Sequence, residues 1–129
     1  MKHKILLFLS LFCAPLLLTA QKKADQLRVS QPGAFSMILL PDPQNYVKYD
    51  YNQPMFEYMT AWIADNIDSL NIKAVLCTGD LVDQNECLVP PFPRFGNLTS
   101  RQQRGFASEA FGRLGHKGPC VVATGNHDY

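Results

Sequence analysis

Three short polar segments of the chain carry side chains suited to holding divalent cations. They are Pro41-Asp42-Pro43-Gln44-Asn45, Thr78-Gly79-Asp80-Leu81-Val82-Asp83 and Thr124-Gly125-Asn126-His127-Asp128. Asp42 and Asp80 offer hard anionic oxygens, Gln44 and Asn126 neutral carbonyl oxygens, and His127 an imidazole. Two neighbouring carboxylates repel one another in an empty site, and a bound cation removes that cost. Gly79 and Gly125 permit tight turns, so a ligand can point back over the element that precedes it. Taken singly, each segment also has a plain reading as a turn: Asp42 beside two prolines, Gly79-Asp80 at the end of an apolar run, Asn126 in a left-handed conformation. What favours the chemical reading is that all three sit at the same kind of place.

Each segment follows a short apolar run: Phe35 to Leu40, Lys73 to Cys77, and Cys120 to Ala123. Runs of this length bounded by Gly and Pro predict strands buried on both faces. Between the first two, Met55, Met59, Trp62, Ile63, Ile67 and Leu70 recur at spacings of three and four, which predicts one face of a helix. Asn52 is placed to cap it and Pro54 lies in its first turn. Between the second and third runs, Phe106, Ala107, Ala110, Phe111 and Leu114 predict a second helix. Ser100 with Gln103 has the spacing of a capping box there, and Gly115 supplies the stop. Both stripes read as core.

Strand, helix, strand, helix, strand is the pattern of a parallel α/β sheet with right-handed crossovers. Ligands of such sheets bind at the carboxyl ends of the strands, where Asp42, Asp80, Asn126 and His127 all fall. The Pro-rich stretch from Leu81 to Leu98 reads as a long loop, of the kind that is often functional. Asn97-Leu98-Thr99 within it also matches the short glycosylation triplet.

Asp42-Pro43-Gln44, Gly79-Asp80-Leu81-Val82-Asp83 and Gly125-Asn126-His127-Asp128 resemble, in order and spacing, the first three motifs of the calcineurin-like metallophosphoesterases. The resemblance covers residues 35–129. It implies the N-terminal part of an α/β sandwich holding two divalent metal ions, commonly iron, manganese or zinc. It also implies phosphoester hydrolysis (phosphatase or phosphodiesterase), in which a metal-bound hydroxide attacks a clamped phosphate in line. By that analogy Asp42 binds the first metal, Asp80 bridges both and Asn126 binds the second. His127 contacts the phosphate or protonates the leaving oxygen, Asp128 orients its imidazole, and Asp83 stands behind the ligands.

Two departures qualify the likeness. Gln44 stands where most of the family has His, in an Asp-Pro-Gln version similar to a subgroup that includes a serine/threonine phosphatase. Gln44 still has a carbonyl oxygen to offer a metal. The later histidine motifs of the family are absent: the histidines are His3, His116 and His127. His116 beside Lys117 suits a helix C-terminus better than a metal. The expectation is therefore a domain cut short, inactive by itself and lacking the C-terminal half that would complete it. The competing expectation is a non-catalytic exported α/β protein that keeps a partial metal- or phosphate-binding site.

The start of the chain has a different character. Lys2, His3 and Lys4 precede an apolar run from Ile5 to Leu18 and then Thr19-Ala20-Gln21, the layout of a secretory signal peptide. The run falls short of the roughly 20 apolar residues a membrane span needs. The expected organisation is a signal peptide over 1–20, a linker over 21–34 and the phosphoesterase part over 35–129. The mature protein would be secreted or periplasmic, with no membrane anchor. Cleavage removes two of the 12 basic residues and none of the 11 acidic ones. A net charge near −1 with no basic stripe gives no footprint for nucleic acid. Cys77, Cys87 and Cys120 remain, an odd number at spacings that fit no zinc or redox motif. Cys77 and Cys120, in or beside apolar runs, read as buried free thiols.

Overall fold

The computed structural model describes residues 27–91 and 93–129, so the expected signal peptide and residues 21–26 of the expected linker lie outside the described residues. Strands β1 (Ser36–Leu40), β2 (Ile72–Cys77) and β3 (Cys120–Val122) form one sheet in the order β1-β2-β3. Both pairings are parallel, and Leu39, Leu76 and Val121 stand in one row across the sheet. Helices α1 (Gln44–Val47), α2 (Gln53–Asn66) and α3 (Ser100–Gly112) fill the connections. Short 3-10 turns occur at Asp50–Asn52, Pro93–Phe95 and Asn126–Asp128. No helix among the described residues is long and apolar enough to cross a membrane.

Consecutive crossovers put α2 and α3 on the same face of the sheet. One core holds Phe56, Ile63 and Ala64 from α2 with Ile67 at its C-cap, Ala110 from α3 with Leu114 just beyond it, and Leu40, Ile72, Val75 and Cys77 from the strands. Phe56 meets Phe111 edge to face at 5.4 Å. Burying a side chain such as Phe56 completely stabilises by about 1.5–3 kcal/mol. Alternation along β2 is broken because the register shifts between Ser36 and Met37, so Ile72 and Val75 both reach the covered side.

The strands are not buried on both faces, as their apolar runs predicted. Met37, Leu39 and Val121 are 56%, 67% and 57% exposed. An apolar run says only that a face can be buried, and among the described residues both long helices lie on the other side.

The stripe on α2 is also rotated from the predicted one. Phe56 and Thr60 are sealed, Met59, Trp62 and Leu70 flank the core, and Met55 is exposed. Both sets recur at helical spacing, and Phe56 wins by packing against Tyr46 as well as Phe111. Asn52 does sit at the cap position, but its side chain donates to the Asn45 carbonyl instead of capping the helix.

The capping box of α3 lies one residue earlier than predicted. Thr99 Oγ1 accepts from Gln102 N, and Gln102 Oε1 accepts from Thr99 N. The Ser/Thr-x-x-Gln pattern occurs twice in succession, and the second copy, Ser100 and Gln103, is buried and used elsewhere. The helix ends at Gly112, ahead of Gly115.

The segment from Leu81 to Leu98 is a loop, as expected, but a tethered one. Ser100 N donates to Cys87 O, Asn97 N to Lys48 O, and the Tyr49 hydroxyl to Arg94 O. Asn97 is held at both ends of its amide: Nδ2 donates to Asp50 Oδ1 at 2.8 Å and Oδ1 accepts from Asp50 N at 3.1 Å.

Candidate metal centre

All three polar segments emerge at the carboxyl ends of the parallel strands. After β2, Gly79 takes φ of 102° and Asp80 φ of 52°. Gly is at home there, and Asp is among the few other residues that tolerate the left-handed region. The turn presses against the one that follows β3. A Cβ on Gly79 would stand 2.7 Å from the Thr124 carbonyl carbon and overlap Gly125 N. A Cβ on Gly125 would stand 2.6 Å from Asp80 N and collide with the Asp80 carboxylate. Two glycines therefore let two backbones touch.

Hydrogen bonds then lock the turns together. His127 N donates to Asp80 Oδ1 at 2.8 Å. Asp128 accepts from Leu81 N at 2.8 Å with one oxygen and from Gly125 N at 2.9 Å with the other. Both carboxylate oxygens of Asp128 thus serve backbone N–H groups, and the imidazole of His127 has a different partner. Its Nδ1 lies 2.5 Å from the carbonyl oxygen of Asp83. A carbonyl only accepts, so Nδ1 carries the proton and donates it. That leaves Nε2 as the nitrogen free of this bond.

Asp42 forms its own unit with Gln44. Gln44 N donates to Asp42 Oδ1 at 2.8 Å, and Gln44 Nε2 donates to Oδ2 at 2.9 Å. With the amide nitrogen committed in this way, Gln44 Oε1 is buried and has no hydrogen-bond partner. Asp42 and Asp128 both lie close enough to raise the Cys77 thiol further, although burial is the main cause of its upward shift. Cys77 ends β2, so segments one and three flank the end of the middle strand. Asn126 is exposed at the start of the last 3-10 turn.

Two residues outside the predicted set belong to this region. Lys48, just past α1, pairs with Asp83 through an Nζ–Oδ1 distance of 3.2 Å, with both side chains largely shielded. Gln103 accepts from Asp83 N at 2.9 Å. A lone Lys between Val47 and Tyr49 gives no signal in sequence. A Gln four residues before Ala107 on an apolar helix face is a weak one, since buried amides are uncommon without a partner.

A metal is compatible with the donors present. Among the described residues, no three His, Cys, Asp or Glu side chains form a group able to hold one. Here, however, the Asp42 carboxylate is accompanied by the Gln44 amide, and the Asp80 carboxylate meets the backbone of His127, next to Asn126 in sequence. The unpartnered Gln44 Oε1 beside the Asp42 carboxylate is the observation that fits a cation. A buried carbonyl left without a donor is costly, and a hard cation would satisfy it.

The family model described as calcineurin-like phosphoesterase matches residues 40–129. No curated relative matches the chain.

Proposed function

Since the chain belongs to the calcineurin-like phosphoesterase family, we propose that it carries the metal-binding half of a phosphoester hydrolase site. Asp42, Gln44, Asp80 and Asn126 would hold two divalent ions, of iron, manganese or zinc. When bound, such ions polarise a phosphoryl oxygen and lower the pKa of water. The observation that carries the reading is the orphaned Gln44 Oε1 beside Asp42, at the same sheet edge as the interlocked Asp80 and His127 turns.

The chain's own residues then have distinct tasks. Asp80 orders the third turn by accepting from His127 N, so losing its carboxylate disturbs both a ligand and the turn. His127, held through Nδ1, has Nε2 to offer a phosphate oxygen or, when protonated, a leaving oxygen. Asp128 keeps turns two and three in contact. Four side-chain donors serve two cations sparsely, since each takes about four to six ligands. Metal affinity and turnover of this chain alone are therefore expected to be low.

Three further features of the chain bear on its subgroup, location and partner surface. Asp42-Pro43-Gln44 supports membership of an Asp-Pro-Gln subgroup. The charged start and apolar run support export to a secreted or periplasmic location. The exposed Met37, Leu39 and Val121 support a partner surface on which further chain of the same domain would pack.

Titrating the protein with Mn2+, with and without inorganic phosphate, tests the metal reading. Binding that phosphate strengthens and Asp42→Ala abolishes is the expected result. Binding indifferent to both would overturn it. Hydrolysis of a phosphomonoester and a phosphodiester, compared on the same protein, then separates the two activities.

A further inference from the structure

Gln103 lies on α3, outside all three polar segments, and is only 1% exposed. Burying a primary amide costs free energy unless its groups are bonded. Here both ends are: Nε2 donates to Leu98 O at 2.9 Å and Oε1 accepts from Asp83 N at 2.9 Å. Its neighbours on the same helix face, Ala107 and Ala110, are small and apolar. An apolar side chain would fill that space as well, so the amide is there for its bonds.

Those bonds reach the candidate site through one residue. Gln103 holds the N–H of Asp83, Lys48 holds its carboxylate, and its carbonyl receives the Nδ1 proton of His127. The position of that carbonyl decides which imidazole nitrogen carries the proton. We infer that Gln103 is a positioning residue: by fixing the Asp83 backbone it sets the Nδ1–H tautomer of His127 and leaves Nε2 for the ligand. The tautomer itself stands apart from the proposed hydrolysis, and only its consequence for turnover rests on that reading.

The test is a long-range 1H–15N correlation on 15N-histidine-labelled full chain, at a pH where the imidazole is neutral. His127→Gln identifies the signal. Wild type is expected to show the Nδ1–H pattern. Gln103→Met keeps nearly the same volume without either bond and is expected to lose that pattern. Thr99→Ala weakens the start of α3 without touching Asp83 and is expected to keep it. Gln103→Glu retains an oxygen for Asp83 N–H, so it is expected to keep the pattern too, and it decides the matter if the Met variant does not fold. An Nε2–H pattern in wild type, an unchanged pattern in folded Gln103→Met, or a lost one in Gln103→Glu would each overturn the inference. The measurement needs neither metal nor substrate, so a protein that hydrolyses nothing still answers it.

Discussion

Asp128 accepts the backbone N–H of Leu81 at 2.8 Å across 47 residues of sequence. The bond ties the loop after β2 to the last turn of the chain, and the second oxygen of the same carboxylate closes that turn onto Gly125. Asp128 is thus a clamp between two loops rather than a partner of the neighbouring imidazole.

Asp128→Asn leaves one side-chain oxygen for two N–H donors. It is expected to destabilise the fold by about 1–3 kcal/mol, the usual cost of leaving a shielded backbone group unpaired. Urea denaturation checks this, and an unchanged midpoint would show that the two loops hold together without the clamp.

Gly125→Ala and Gly105→Ala should act in opposite directions. At Gly125 an added methyl collides with the Asp80 carboxylate and backbone, so a loss of about 1–3 kcal/mol is expected. At Gly105, inside α3, nothing lies within 4 Å of the added Cβ. There the gain in helix propensity should stabilise by about 0.8–1 kcal/mol. Thermal melts of the pair compare the same substitution in two surroundings.

Asp80→Ala and His127→Ala should separate binding from chemistry. The first is expected to weaken Mn2+ binding by more than the roughly 10–100-fold that losing an outer partner of a metal ligand costs. The second should leave Mn2+ binding nearly intact. In a form of the domain that turns over substrate, His127→Ala is expected to slow hydrolysis about 10²–10⁴-fold, the range for general acid catalysis. Calorimetric titration and turnover measured together check both, and full activity in the His127 variant would remove that residue from the mechanism.

The cysteines should alkylate in order of shielding. Burial pushes the Cys77 thiol up, with Cys120, Asp42 and Asp128 adding to the shift, and burial pushes Cys120 up as well. Cys87 lies in the tethered loop, its Sγ 3.0 Å from Val89 O. Iodoacetamide at mildly alkaline pH should modify Cys87 first and Cys77 only on unfolding, as peptide mapping would show. Cys77 and Cys120 are two register positions apart on adjacent strands, since Cys120 faces Val75. With strands about 4.8 Å apart and a rise of about 3.3 Å per residue, the two Cα atoms stand roughly 8 Å apart, beyond disulfide reach.

Export predicts a mature N-terminus at Gln21. Intact-mass measurement of the secreted or periplasmic protein checks it, and a chain that keeps Met1 would remove the signal-peptide reading.

The strand positions were legible because each apolar run is bounded by Gly, Pro or a polar turn, and their ends moved by one residue at most. Helix faces were less so. Met55 and Phe56 both satisfy the helical period, and only contact with Tyr46 and Phe111 decides between them. The α3 cap was misplaced by one residue because Thr99-x-x-Gln102 and Ser100-x-x-Gln103 are locally equivalent. What distinguishes them is that Gln103 is drawn inward by Asp83. The polar segments stood out by residue type and common placement. Their wiring did not, because Lys48 to Asp83 and Gln103 to Asp83 span 35 and 20 residues with no spacing that announces them. The family likeness suggested a place for Asp128, and the hydrogen bonds give it another task.

The two-ended grip of Asn97 on Asp50 has a consequence in time. Attaching a sugar to Nδ2 replaces one of its two hydrogens, and in the folded chain one of them is donated to Asp50 Oδ1. Oligosaccharide transfer and closure of this loop would therefore compete for one atom as the chain emerges. A loop that closed first would hold the amide away from the transfer, whereas a glycan added first would still leave Asn97 its Oδ1 and one N–H to meet Asp50.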